Sequence, residues 1–562
     1  MTIRRCLLSV VPVLSLVFGC VLCASTQKVY SDESSVLQVT RPISVVFDPK
    51  SFGAKADGKA LDSPAINKAI DAAAAAGGGT VWLTAGTYRA FSIHLRSNVA
   101  LYLDQGTTIL AADPRDGDGK YDSPEPNQWN QYQDFGHSHW HNSLIWGENL
   151  ENVSILGPGR IWGKGLVRSG SQSRTKEQND ALGSAPPDPN GGPFGYPNPR
   201  DAVEPGWGNK SISLKLCRNV IIRDVTIFHG GHFAILATGV DNLTIDNVKI
   251  DTNRDGIDVD ACKNVRISNC TINSPFDDGI CPKSSFALGY SRVTENVTIT
   301  NCQVSGYDEG TLLDGTYKRD YRAQNGTFSP TGRIKFGTES NGGFKNITVT
   351  NCVFDYSRGL ALEAVDGALL EDVTISNITM RDISNSPIFI RLGARNRGPK
   401  ETTRTGAIRR VVISNVVVFN ADPRYSSIIS GIPGFAIEDV TLQNIRIYSQ
   451  GGGTKEQAGL EPPEKEDTYP EPTMFGDLPS YGFFVRHVKG LQLRDVQVSF
   501  LKSDLRPAFW LNNVADAEFF QVKARSESNA PSFLLKNVSN FALQQSWPFP
   551  DQRLEKVELK KF

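Results

Sequence analysis

Residues 242–250 read NLTIDNVKI and residues 264–272 read NVRISNCTI, the same apolar-polar alternation framed by Asn or Asp and repeated after 22 positions. The preceding copy, NVIIRDVTI, begins at Asn219, and further copies begin at Asn98, Asn152, Asn296, Asn346, Asp372, Arg410, Asp439 and Gly490. Self-similarity at a fixed short period marks a solenoid. Alternation over four or five positions, rich in Val, Ile and Thr, is strand periodicity. A unit of this length can neither close its own core nor hold a crossover helix, so each must stack on its neighbours as one coil of a single-stranded parallel β-helix, an all-β fold. The bend Asn recurs coil above coil, where its side chain is expected to bond backbone groups of the next turn.

Outward from these coils, Asp62-Ser63-Pro64 followed by Ala65, Ile66, Ala69, Ile70 and an alanine run to Gly77 predicts an N-capped helix closing the open end of the solenoid. Gly/Pro-rich stretches at about 169–208, 315–332 and 451–479 predict long loops, which on a rigid stack wall a binding groove. At the N-terminus, Arg4 and Arg5 precede an apolar run from Leu7 to Leu22 and small residues near Cys23-Ala24-Ser25. That layout predicts a signal peptide over 1–25 and an exported, periplasmic or secreted chain, with the β-helix domain over 42–550. Cys20, after Val17-Phe18-Gly19, stands where an imperfect lipoprotein acceptor would. No second apolar run of membrane length follows.

The chain has 562 residues, 39% hydrophobic, with a formal net charge of -1, so its balance excludes a nucleic acid or a membrane surface as the evident partner. Cys270, Cys302 and Cys352 share one inward repeat position and Cys217 and Cys262 another. Without C-x-x-C spacing they read as small buried groups rather than a zinc or redox site.

Counting thirteen residues from each bend Asn aligns His232, Asp255, Asp277 and Glu309 in one stripe, with Asp278 beside Asp277. Neighbouring strands lie about 4.8 Å apart, so these carboxylates crowd one another, and crowding splits such a group into proton donors and ionised bases. Glycoside hydrolysis uses that division of labour. Two other readings compete: bend carboxylates that only accept backbone hydrogen bonds, and a calcium site built from Asp255, Asp258, Asp260, Asp277 and Asp278. His137-Ser138-His139-Trp140-His141 could hold a metal or stack a sugar on Trp140, and Trp129 and Trp207 could stack a sugar or pack a loop.

At the two Asp segments the chain resembles glycoside hydrolase family 28, the polygalacturonase family of pectin-degrading right-handed parallel β-helix enzymes. Asn253-Arg254-Asp255-Gly256-Ile257-Asp258 resembles that family's Asn-Thr-Asp-Gly segment, and Asp277-Asp278-Gly279-Ile280-Cys281-Pro282-Lys283-Ser284 resembles its Asp-Asp-Cys-Lys-Ser segment. Phe52-Gly53-Ala54-Lys55-Ala56-Asp57-Gly58 is similar to its N-terminal cap. The resemblance implies inverting hydrolysis with Asp277 as general acid and Asp255 and Asp278 handling the attacking water. It places Arg254 and Lys283 among the groups binding substrate, Lys283 beside a substrate carboxylate, while His232 is a substrate-binding candidate from its own place beside the carboxylate stripe, next to Gly230-Gly231. The chain departs from the family at two places. Asp308-Glu309-Gly310 stands where the family has Gly-His-Gly, and Ala361-Leu362-Glu363 where it has Arg-Ile-Lys. A literal Arg333-Ile334-Lys335 occurs one coil earlier, after an insertion, and could return positive charge to the site.

The expected substrate is therefore a pectic or other uronate-containing polysaccharide or oligosaccharide, cut by a monomer that needs no cofactor. A calcium-dependent lyase and a non-catalytic glycan-binding solenoid are the alternatives.

Overall fold

The computed structural model describes residues 45–167, 204–320 and 329–562. The expected signal peptide and Cys20 lie outside them, as do most of the 169–208 loop and residues 321–328 of the second loop. No helix of the described residues is long and apolar enough to cross a membrane.

Strand stacks on strand in parallel. Val153, Val220, Leu243, Val265, Val297 and Ile347 sit one above another at the same inward position of six successive coils, all buried. The column continues through Val373 to Val411 and Val440. Repetition of one pattern thus builds a continuous core, because each coil covers only the faces of its two neighbours. The last strand, Gln552–Lys561, turns back antiparallel against Phe533–Gln544.

At each bend the Asn backbone is left-handed, with φ 55 at Asn242 and 56 at Asn264, a conformation Asn tolerates better than other side-chain-bearing residues. The amides bond each other rather than the backbone of the next turn, correcting the sequence expectation. Asn264 Nδ2 donates to Asn242 Oδ1 (3.2 Å), Asn296 to Asn264 (3.0 Å) and Asn346 to Asn296 (2.8 Å). Each amide carries a donor and an acceptor, so a stack of identical residues satisfies itself along the axis.

The cysteines at repeat positions are buried and free, and the described residues contain no disulfide. Helix α1 (Ser63–Ala75) forms where predicted and buries Ile66, Ala69 and Ile70 against the first coils. Burial of each Ile there is worth about 1.5–3 kcal/mol. Asp62 precedes the helix but does not cap it. Its carboxylate instead accepts from the backbone N–H groups of Lys55 (2.7 Å) and Ala56 (3.0 Å), tying the chain before the helix to its start.

Five strands position the site: β1 (Phe233–Thr238), β2 (Asp255–Asp260), β3 (Ile280–Lys283), β4 (Lys335–Phe336) and β5 (Leu360–Ala364). Ile257 and Val259 point into the core while Asp258 and Asp260 face outward, yet all four are buried, because loops cover the outer face of this sheet.

Candidate active site

The stacking of Phe233 on Asp255 and of Ile257 on Ile280 puts Asp278 in register with Asp255. Counting from the bends had aligned Asp277 instead. Ile257 and Ile280 are 23 residues apart while Asn242 and Asn264 are 22 apart, so one corner holds an extra residue and the stripe slips by one. Asp277 still converges on the site. His232, Asp255 and Asp277 each offer an atom, and these atoms lie within 4.8 Å of one another. The Asp278 N–H donates to Asp255 Oδ1 (3.3 Å) and to Asp277 Oδ1 (3.1 Å). Arg254 Nη1 lies 3.5 Å from Asp277 Oδ2, and the His232 ring stacks on Phe135 at 4.4 Å.

The carboxylates differ electrostatically. Burial, then the charges of Asp258 and Asp277, holds the Asp255 carboxyl well above the ordinary carboxylate range. Asp278 is equally buried, but Lys335 and Arg333 outweigh that burial and push it far below the range. Lys335 Nζ lies 2.5 Å from Asp278 Oδ2, and Arg333 Nε donates to Asp278 Oδ1 at 2.8 Å. Arg-Ile-Lys therefore does return positive charge to the site, and its target is Asp278.

Three further residues singled out in the sequence are engaged by the protein itself. Glu309 does not continue the stripe. After the strand Gln303–Ser305 the chain makes an excursion and rejoins the stack at β4, so Ile334 is bridged to Ile280 while Glu309 lies buried with Oε1 4.0 Å from His229. Lys283 is neither solvated nor projecting. It is buried between Glu339 (3.1 Å) and Asp258 (3.7 Å), because β3 places it under the covering loops. Glu363, on β5, is fully buried with the Thr338 hydroxyl at 3.1 Å, and burial, against Lys335 and Arg333, raises its carboxyl to about 7.

The acidic set proposed for calcium does not assemble. Asp260 is engaged by His137 (3.0 Å) and by the N–H and hydroxyl of Ser285 (2.6 Å each), and burial raises Asp258 to about 7. Among the described residues the grouping with metal-donor spacing is His232, Asp255 and Asp277, which lacks the all-oxygen character calcium prefers. The imidazoles of the His-rich segment diverge, His137 to Asp260, His139 to the Glu125 carbonyl and His141 to Glu148. Trp140 is buried, its indole donating to Thr238, so it offers a sugar no face.

Two site residues escaped sequence reasoning. The 451–479 loop, whose wall the sequence left undetermined, folds over β4 and β5. It brings buried Glu471 against Arg333 (2.5 Å) and Arg358 (3.0 Å), and Tyr469 to 3.0 Å from the Thr338 hydroxyl. Glu471 and Arg333 are 138 residues apart, and no repeat position relates them.

Fold and site define a right-handed parallel β-helix protein that resembles glycoside hydrolase family 28. The family described as "Right handed beta helix region" matches residues 205–328, and that described as "Rhamnogalacturonase A/epimerase, pectate lyase-like" matches residues 46–140. More particularly, the chain is 26% identical over 274 residues to the exo-poly-α-D-galacturonosidase of Dickeya chrysanthemi, covering 44% of this chain and 43% of that relative. The chain thus spans less than half the length of that curated relative. Among solved structures, an exopolygalacturonase from Thermotoga maritima shares the fold with a TM-score of 0.54 at 17% identity, covering 92% of this chain and 95% of that one. A family 28 exopolygalacturonase from Yersinia enterocolitica does so with a TM-score of 0.56 at 18% identity, covering 85% and 78%.

Proposed function

We propose that this chain is an exported glycoside hydrolase that cleaves a glycosidic bond in a pectic or other uronate-containing polysaccharide. The observation that carries the reading is the electrostatic split inside one carboxylate group: Asp255 is driven towards its protonated form while Asp278, in contact with it, is held ionised. Asp277, with an 18% exposed side chain beside Arg254, is the general acid of this reading. Asp255, whose proton affinity burial raises, is the stronger base toward water once ionised. Asp278, pinned by two cations, orients that water and stabilises positive charge developing on the sugar ring.

Hydrolysis with inversion is the expected outcome, the water being held beside the pair, against Asp278.

Mass spectrometry of products from a panel of pectic polysaccharides, with and without chelator, tests the reaction class in the native chain and in Asp277→Asn. Products heavier by one water, indifferent to chelator and lost in the variant are expected. Unsaturated products would make the chain a lyase instead, and no products from any substrate would leave a glycan-binding role. Proton NMR of the first-formed anomer decides the stereochemistry, and a retained anomer would make Asp255 the nucleophile.

A further inference from the structure

We propose that His232, Asp255 and Asp277 form a zinc site at which the cation, by taking two of the site's carboxylates, reversibly shuts off hydrolysis. The proposal rests on the hydrolase reading and names a regulator of the same site rather than a cofactor, since that reading assigns the reaction to side chains alone.

One donor atom from each of the three side chains lies within 4.8 Å of the other two. The point central to three such atoms is at most about 2.8 Å from each, 4.8 Å divided by √3, and zinc takes nitrogen and oxygen at about 2.0–2.2 Å. Closing that gap asks each side chain to move by less than about 1 Å. Neighbours already hold the donors near this position. The Asp278 N–H gathers Asp255 Oδ1 (3.3 Å) and Asp277 Oδ1 (3.1 Å) towards one point. The His232 ring is stacked on Phe135 at 4.4 Å and lies against Phe233 at 4.7 Å, which fixes its plane. A cation enters from the Asp277 side, where that side chain is 18% exposed and Arg254 19%, while His232 and Asp255 are buried.

One imidazole and two carboxylates, with water as a fourth ligand, suit zinc, whereas calcium and magnesium ask for more oxygens. Zinc displaces the proton that burial and crowding press onto Asp255, because a carboxylate ligates in its ionised form. Arg254 Nη1, 3.5 Å from Asp277 Oδ2, opposes the incoming charge and must turn towards solvent. Once bound, the cation occupies carboxylate oxygens that the hydrolase reading assigns to the acid and the base, so neither can transfer its proton. Other imidazoles among the described residues compete poorly. His94 meets Asp122, His141 meets Glu148 and His137 meets Asp260, none with a third donor at metal spacing.

Calorimetric titration of zinc chloride into the full-length chain at pH 7 tests the site without substrate. One zinc per chain is expected, with micromolar affinity that millimolar calcium or magnesium leaves unchanged. His232→Gln and Asp277→Asn are each expected to weaken binding at least about tenfold, and Arg254→Met, which removes a like charge, to tighten it at least about threefold. A gain of affinity cannot come from an unfolded chain, so Arg254→Met decides the matter where a ligand variant fails to fold, and unchanged or weaker binding there overturns the proposal. So does the absence of one-to-one binding to the native chain, or binding that neither ligand variant moves. Inhibition is read on short pectic oligosaccharides with free zinc set by a metal buffer, which keeps the substrate's own carboxylates from depleting it. Loss of products at saturating zinc, restored by chelator, is expected, and undiminished products there overturn the inhibitory role. One-to-one binding with no products at any zinc concentration would overturn the hydrolase reading while the zinc site stands.

Discussion

Arg333 Nε donates a 2.8 Å hydrogen bond to Asp278, 55 residues earlier, and the same guanidinium holds Glu471, 138 residues later. One side chain thus joins the carboxylate that the site keeps ionised to a loop from the far end of the solenoid. Removing one member of such a buried pair typically costs about 3–5 kcal/mol. Arg333→Met is therefore expected to lower the unfolding midpoint and to reduce kcat more than it changes KM. Because Asp278 sits below the ordinary range, its pairing contributes stability above the unfolded carboxylate value, about 3.9, and that contribution is lost as pH falls through the folded value. Urea unfolding should therefore show the variant's deficit largest at neutral pH and smaller in acid. An equal midpoint at both pH values would show that Arg333 does not stabilise the ionised form.

Asp255→Asn should separate activity from stability. Loss of the base is expected to lower turnover by about 10²–10⁴. A carboxyl raised above its unfolded value opposes folding at pH values where the unfolded chain ionises, and this opposition vanishes in acid. The variant should therefore match or exceed the native chain's thermal midpoint at pH 7 and lose that advantage near pH 4. A less stable variant at pH 7 would mean that Asp255 is held in a favourable ionised state.

Asp258 and Glu363 are both raised to about 7 by burial. For each, the folded state keeps a proton that the unfolded chain releases, so the stability contribution is fully present below about pH 4 and declines up to about pH 7. Asp258→Asn and Glu363→Gln are expected to remove that decline, each changing the difference in unfolding free energy between pH 4 and pH 8 by about 2–4 kcal/mol. Denaturant titrations at the two pH values measure it, and parallel native and variant curves would contradict the assignment.

Asn264→Ala interrupts the amide ladder and leaves a residue with a Cβ at φ 56. A loss of about 1–2 kcal/mol is expected from backbone strain, with a further few tenths from the exposed hydrogen bonds. Asn264→Gly should lose less, since glycine removes the strain but not the ladder. Equal losses in the two variants, read from urea midpoints, would show that the ladder rather than the backbone angle carries the effect.

The coil, its inward columns and the convergence of Asp255, Asp277 and Asp278 were legible because a solenoid makes neighbours in space out of equivalent positions in consecutive repeats. Reading failed where the period broke. The extra residue between Ile257 and Ile280 shifted the register from Asp277 to Asp278, and the excursion after Ser305 removed Glu309 from the stripe. The pairing of Lys283 with Glu339 was not legible, because Glu339 follows the excursion and shares no repeat position with it.

From the sequence alone came the stacking of about 22-residue coils, the recurring Asn at the bends and the presence of three carboxylates within one coil spacing, since all depend on local pattern and nearest-neighbour stacking. Tertiary structure alone decided which carboxylate is held ionised and which is pushed towards its protonated form. That choice depends on burial and on Arg333, Lys335 and Glu471, the last brought in by a loop 138 residues from its partner, and a charge's environment is a sum over space rather than along the chain.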